Sequence, residues 1–370
     1  MTRGRNHDKT KVLNAYSFLV LVLVGQERRG IVSITDNVIK RVTAEDVAKV
    51  AGVSQATVSR VFTDANMVTP ETREKVMNVA MQLGYKPNAI ARSLTSQKTD
   101  IIGIVTRLHL TAFLPTLEKF TSKLQKVGKQ VLLFSAEPDQ PLDDVLFRVL
   151  QYQVDGIIIT AASLSSKMTD VCARQGTKVL LYNRYVLGAE VNAVCCDNVE
   201  GGRLIANYLL DTGHKRMAFI GGAENASTTI DRFKGFSDRL RERGVIDLIV
   251  ENKGDYSYEW GYQAAKRVLQ QDNTCEAIFC ANDIIALGAM DAIRYDLGLR
   301  IPEDVSIIGF DDIQQASWPT YSLTTIHQPF DKMVDAGIEL LFDSLENRES
   351  RPSLHLFEGE LVKRSTVRTP

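Results

Sequence analysis

The chain has 370 residues, 44% of them hydrophobic and 24% charged, a composition that excludes collagen-like, mucin-like and wholly disordered proteins. At roughly 100–200 residues per domain it holds two or three domains. The net charge is only −1, but residues 1–37 carry +3, residues 38–98 carry +4 and residues 99–370 carry −8. A small basic module on a large acidic body is the pattern of a nucleic-acid-binding head joined to a different kind of domain.

Taken in chain order, residues 1–37 come first and look unlike the rest. Arg3, Arg5, Lys9 and Lys11 precede an apolar run at 16–24, as in a secretory leader. The run is far shorter than the ~20 apolar residues of a bilayer-spanning helix.

Residues 38–87 are helix-patterned. Thr43-Ala44-Glu45-Asp46 is a helix start, with a hydroxyl to cap an orphan N–H and acids in the first turn. Val47, Ala48 and Ala51 share one apolar face, and Gly52 stands where the chain must turn. Ser54 caps a second helix over 55–62, with Val58, Val61 and Phe62 inward. Two short helices joined by Ala51-Gly52-Val53-Ser54 predict a helix-turn-helix. Thr69-Pro70-Glu71 opens a third helix with Pro at its first position. Val76, Val79, Ala80 and Leu83 face inward, Gly84 stops it, and Pro87 bars continuation.

In such a motif the second helix enters the major groove. Gln55 and Ala56 are the expected base readers, one for adenine and one for a thymine methyl. Arg60, one turn further on, is placed to reach guanine or phosphate. Thr57 and Ser59 are expected phosphate contacts, with Thr43, Ser54 and Asn88 beside them. Taken singly, each of these polar side chains is also what a solvated helix face would show. Asn88 can cap a two-turn helix ending at Leu94, marginal in isolation. Residues 88–98 read as a linker or as a hinge that folds against a partner copy and DNA.

From residue 101 onward, apolar runs at 101–105, 130–135, 156–160, 178–182, 217–220, 277–280 and 305–309 alternate with amphipathic stretches. The latter lie at 114–127, 142–153, 199–210, 232–243, 258–269 and 284–297. Near-continuous apolar strands alternating with helices predict parallel sheets covered on both faces. About 270 residues is long for one core, so two α/β lobes with a cleft are expected.

The motifs in these segments resemble the LacI/GalR family of bacterial transcriptional regulators. The match spans residues 42–61, including Ala51-Gly52-Val53-Ser54-Gln55-Ala56-Thr57-Val58-Ser59-Arg60, then Leu83-Gly84-Tyr85-Lys86-Pro87-Asn88 and Ala91-Arg92-Ser93-Leu94. It resumes at Gly213-His214-Lys215-Arg216, Arg232-Phe233-Lys234-Gly235-Phe236, Ala281-Asn282-Asp283, Ser306-Ile307-Ile308-Gly309-Phe310-Asp311-Asp312 and Leu323-Thr324-Thr325-Ile326. Order and spacing hold over about residues 40–370.

The resemblance implies an all-α helix-turn-helix head (38–87), a hinge (88–98) and an α/β two-lobe body of the periplasmic-binding-protein type (99–370). One lobe would comprise about 99–197 and 327–345, the other about 198–326 and 346–370. It implies a cytoplasmic homodimer on a pseudo-palindromic operator, with Ala91 and Leu94 at the minor groove, where apolar wedges exchange base stacking for a better wrapped surface. It implies a small effector, sugar-like, in the cleft. Arg232, Asn282 and Asp311 match the family's cleft residues, while Asn183, Tyr256 and Phe330 fall at positions that line the pocket. Asp283 and Asp312 read as capping and structural groups, and His214 as a structural residue at a strand entry. The family has no counterpart of residues 1–37, and the expectation is an over-extended translation start with Val38 or a nearby codon as the true beginning.

Other functions fit less well. A transporter's solute-binding protein would share the body but not residues 42–94. An enzyme on a doubly wound fold lacks a G-x-G-x-x-G after a strand, a Walker motif or a nucleophile elbow. The five scattered cysteines form neither a disulfide framework nor a zinc site, which suits reduced thiols in a cytosolic protein. No cofactor, metal or membrane partner is expected.

Overall fold

The structure, a computed structural model, describes residues 42–63, 67–87, 98–107, 114–137, 140–160, 166–346 and 351–369. The leader at 1–37, and the hinge residues Asn88, Ala91 and Leu94, lie outside them. The chain divides into two units, Met1–Asn88 and Ala89–Pro370.

The first unit holds α1 (Ala44–Ala51), α2 (Gln55–Thr63) and α3 (Pro70–Leu83). The expected caps form. Asp46 N–H donates to Thr43 Oγ1 and Thr43 N–H to Asp46 Oδ2, a reciprocal capping box. Gly52 and Gly84 end α1 and α3 at φ 62° and 66°, a left-handed conformation that costs a residue without Cβ nothing. Val47, Ala51, Val58 and Val76 are fully excluded from water. Val79 and Leu83, expected inside, are only half-buried, though both pack against this core.

The second unit is built on two parallel sheets. The first has six strands in the order β11-β5-β4-β3-β1-β2: β1 (Ile101–Thr106), β2 (Gln130–Ser135), β3 (Gly156–Ile159), β4 (Lys178–Tyr182), β5 (Asn192–Cys196) and β11 (Leu354–Phe357). The second has four in the order β7-β6-β8-β9: β6 (Met217–Ile220), β7 (Leu248–Glu251), β8 (Ala277–Cys280) and β9 (Ser306–Ile308). Alternation sorts the strand residues: Ile102, Ile104, Ile158 and Leu180 enter one core, and Val105, Ile157, Ile159 and Leu181 the other. Both faces of the central strands are therefore dry, as the apolar runs predict, while the edge strands β2, β7 and β11 are partly exposed.

Helices cover the faces: α4 (Leu114–Lys126), α5 (Leu142–Leu150), α6 (Ser166–Arg174), α7 (Asn198–Asp211), α8 (Ser227–Glu242), α9 (Tyr258–Gln271), α10 (Asp283–Asp291) and α11 (Phe330–Glu346). Several features differ from expectation. Helix α8 starts five residues earlier than the apolar period suggests, at Ser227, which puts Arg232 in its second turn. Helices α6 and α11 were not anticipated; Met333, Val334 and Leu341 of α11 pack beneath the first sheet. The segment 346–370 does not belong wholly to the second lobe. Its Leu354–Phe357 extends the first sheet beside β5, while β12 (Glu360–Val362) pairs antiparallel with β10 (Thr325–His327). Among the described residues no helix is long and apolar enough to cross a membrane.

Candidate functional site

In the first unit, α2 is held by its apolar side. Val58 and Val61 are buried, whereas Gln55, Ala56, Ser59 and Arg60 are exposed on the other side. Thr57 is half-buried. Its backbone N–H donates to Ser54 Oγ at 3.0 Å, and the two hydroxyls lie 2.9 Å apart. The Thr43 hydroxyl donates to Asp46 Oδ2 at 2.8 Å. Thr43 and Ser54 thus fix helix starts, with their remaining lone pairs and neighbouring N–H groups turned to solvent. The result is a rigid, capped helix with an outward polar edge.

In the second unit, the order β2-β1-β3-β4 makes β1/β3 the point where the winding reverses, and β7-β6-β8-β9 does the same at β6/β8. Ligands of open α/β sheets bind outside the carboxyl ends of strands at such points. Arg107 directly follows β1, Asn183 and Arg184 follow β4, Asn282 lies two residues beyond β8 and Asp311 three beyond β9. Arg232 enters from α8.

Arg232 is 1% exposed and organises the site. Its Nε donates to Asn198 Oδ1 at 2.8 Å, Nη1 donates to the Ala281 carbonyl, and Nη2 lies 3.2 Å from Asp311 Oδ1. Its guanidinium carbon sits 3.7 Å from the centre of the Phe310 ring, a cation–π contact. Gln328 Nε2 donates to the same Asp311 oxygen at 2.6 Å. Burial raises the Asp311 pKa, while the Arg232 charge and the Gln328 hydrogen bond oppose the rise. Asp311 has φ 122° and Asn183 φ 62°. Backbone strain of this kind costs about 1–3 kcal/mol per residue and is characteristic of functional sites.

The six expected cleft residues fare differently. Arg232 and Asp311 meet directly. Phe330 joins them through the chain, its N–H donating to the Gln328 carbonyl at 2.8 Å, and Tyr182 Oη donates to the Phe330 carbonyl. Asn183 is buried, and its Oδ1 has no hydrogen-bond partner among the described residues. Asn282, not Asp283, caps α10: its Oδ1 accepts the Ile285 N–H at 2.9 Å, leaving its amide hydrogens for a ligand. The Tyr256 hydroxyl lies 2.7 and 2.6 Å from those of Thr228 and Thr229. The ring expected to stack on a sugar has the Arg184 guanidinium over it instead, at 5.4 Å.

Residues the sequence reading passed over complete the site: Arg107, Arg184, Asn198, Phe310 and Gln328. For the four polar ones the signal available was position alone, a polar residue following a strand. Asp283 is structural, as expected. It accepts from Ile313 N–H and Thr325 Oγ1, and burial, reinforced by the Asp311 charge, holds its carboxyl well above the usual range. His214 is buried between the Leu209 carbonyl and Ser306 Oγ, at 3.1 and 2.8 Å. All five cysteines are buried, and burial pushes the Cys172 thiol up to about 11. These are not nucleophiles. Among the described residues no cluster of His, Cys, Asp or Glu is placed to hold a metal ion.

Residues 43–88 match the model of bacterial regulatory proteins of the lacI family, and residues 206–367 that of the periplasmic binding protein-like domain. The chain is 32% identical to the HTH-type transcriptional repressor PurR of Pasteurella multocida (strain Pm70) over 333 residues, covering 88% of this chain and 99% of the relative. The Vibrio vulnificus (strain CMCP6) PurR is 31% identical over the same length, covering 88% of this chain and 98% of its own. Among solved structures, the Lac repressor dimer bound to operator and the anti-inducer ONPF superposes with a TM-score of 0.79 at 30% identity, covering 88% of this chain and 99% of that one. The complex of the transcriptional regulator CelR with cellobiose gives 0.66 at 28% identity, covering 88% and 100%.

Proposed function

Because the chain belongs to the lacI family of bacterial regulatory proteins, as a DNA-binding repressor under small-molecule control, we propose that α2 reads an operator and that the cleft around Arg232 holds the effector. The observation that carries this is the outward edge of α2, where Gln55, Ala56 and Arg60 are exposed on a scaffold capped at every helix start. Gln55 and Ala56 read bases, Arg60 reads guanine, and Thr43, Ser54, Thr57, Ser59 and Asn88 hold phosphates. Ala91 and Leu94 serve the minor groove. The protein acts as a homodimer on a pseudo-palindromic site in the cytoplasm; the similar Lac repressor, a dimer bound to operator, supports the dimeric DNA-bound state.

In the cleft, Asn183, Arg232, Tyr256, Asn282, Asp311 and Phe330 surround a sugar or sugar derivative. The cellobiose bound by CelR supports that ligand class. An effector shifts operator affinity only by its differential affinity for two lobe arrangements. The strained Asp311 and the β10–β12 crossover beside it are where such a difference would register. A transporter role draws no support from the relatives, which are repressors.

Gel shift of the full chain against the DNA upstream of its own gene, with a salt titration, tests the reading. Sequence-selective binding that falls steeply with salt is expected. Absence of selectivity at every moderate salt concentration would overturn it.

A further inference from the structure

We propose that the effector carries an anionic group, a carboxylate or a phosphate, and that Arg107 and Arg184 grip it at the carboxyl edge of the first sheet. This rests on the cleft reading above and deepens it.

The two arginines leave β1 and β4, the strands that flank β3. Two strand spacings separate them, about 10 Å, a gap that two arginine side chains converging from either side can close on one ligand group. Neither has a carboxylate partner among the described residues. Arg107 Nε is buried without any hydrogen-bond partner. Arg184 has only the face of Tyr256. Burial lowers the Arg184 pKa, and the charges of Arg107 and Arg232 press it further down. Arg107 and Arg184 are themselves half-buried, and the charges of Arg107 and Arg232 act on Arg184 together.

The carboxylates nearby are committed elsewhere. Asp311 pairs with Arg232 and accepts from Gln328. Asp231 accepts the Tyr185 hydroxyl at 2.9 Å. Asp283 is buried and held by Thr325 and Ile313. Asn183, between β4 and Arg184, is neutral. Among the described residues the cleft is left with two guanidiniums in excess. A ligand of hydroxyls alone would close over them and leave them uncompensated, which is costly in a desolvated site. A carboxylate or phosphate instead meets planar N–H forks in the geometry they favour. The free Asn183 Oδ1 and Gln328 Oε1 remain as acceptors for hydroxyls on the rest of the molecule.

The test is calorimetric titration of the full-length protein with matched probes: glucose, gluconate, glucose 6-phosphate and the equivalent ribose and galactose sets, with inorganic phosphate alone. The expected result is that in at least one set an anionic member binds about tenfold or more tightly than its neutral parent. Whether the acid or the phosphate ester wins distinguishes the two anion sources. In the Arg107→Gln/Arg184→Gln variant that preference disappears, and Arg107→Lys/Arg184→Lys restores part of it. Neutral parents binding as tightly as their anions, no anion binding up to about 10 mM, or a preference that survives the double glutamine variant would each overturn the proposal. Wild-type protein that binds operator selectively while failing these titrations leaves the regulator reading standing and removes only this one.

Discussion

Arg232 shows how much one side chain decides. It donates to Asn198 and Ala281, pairs with Asp311 and lies against Phe310, all out of water. Removing one member of a buried pair leaves the other charged and unpaired, at about 3–5 kcal/mol. Arg232→Ala should lower the unfolding free energy of the second unit by about that much in urea. Operator binding without effector should stay unchanged by gel shift. On α2, Arg60→Ala should cost about 1–3 kcal/mol of discrimination between operator and single-base variants. A loss equal for all sequences would mark Arg60 as a phosphate contact. His214 predicts a pH dependence. Burial depresses its pKa below 6.5, so the unfolded chain binds the proton more readily than the folded one. Its contribution is complete above pH 6.5 and lost as the pH falls from there toward the depressed folded value. Urea midpoints of wild type and His214→Gln should accordingly converge as the solution is acidified. At this scale the sequence reading placed Arg232 and Asp311 together and His214 as structural. It assigned the α10 cap to the wrong neighbour, because a cap depends on where the helix begins.

At the scale of elements, α7 and α8 meet backbone to backbone. A Cβ on Gly235 would lie 1.9 Å from the Val199 carbonyl oxygen, and one on Gly202 2.3 Å from that of Arg232. Gly235→Ala would gain about 1 kcal/mol in helix propensity, but it forces the helices apart. Overpacking of this kind costs about 1–3 kcal/mol or more. A lower melting temperature is therefore expected, together with weaker effector binding, since α8 carries Arg232. Elements whose signal is local were legible. The three helices of the head announce themselves by caps and stops, and the central strands by apolar runs. Strands β7, β10, β11 and β12 were not, each having only three or four residues with only β10 mostly buried, and β5, though wholly buried, was passed over as well. Their pairing comes from partners far along the chain.

At the scale of the whole molecule, the proposed dimer would set two reading helices on a two-half-site operator, with the second contact made at high effective concentration. A duplex carrying one half-site should bind about 10²-fold more weakly than the full site at the same salt, and equal affinity would refute the dimeric mode. The basic head on an acidic body, the capped helix-turn-helix and the alternation of strands and helices were all written in the sequence. Each rests on charge, turn chemistry and hydrophobic period within a few residues. The cleft was decided by tertiary structure. Arg107, Arg184, Arg232, Asp311 and Gln328 lie on separate elements, and only the reversal of winding in each sheet brings their strand ends to one crevice. Whether a charge there is paired or left over for a ligand depends on distances between such elements, which no local pattern encodes.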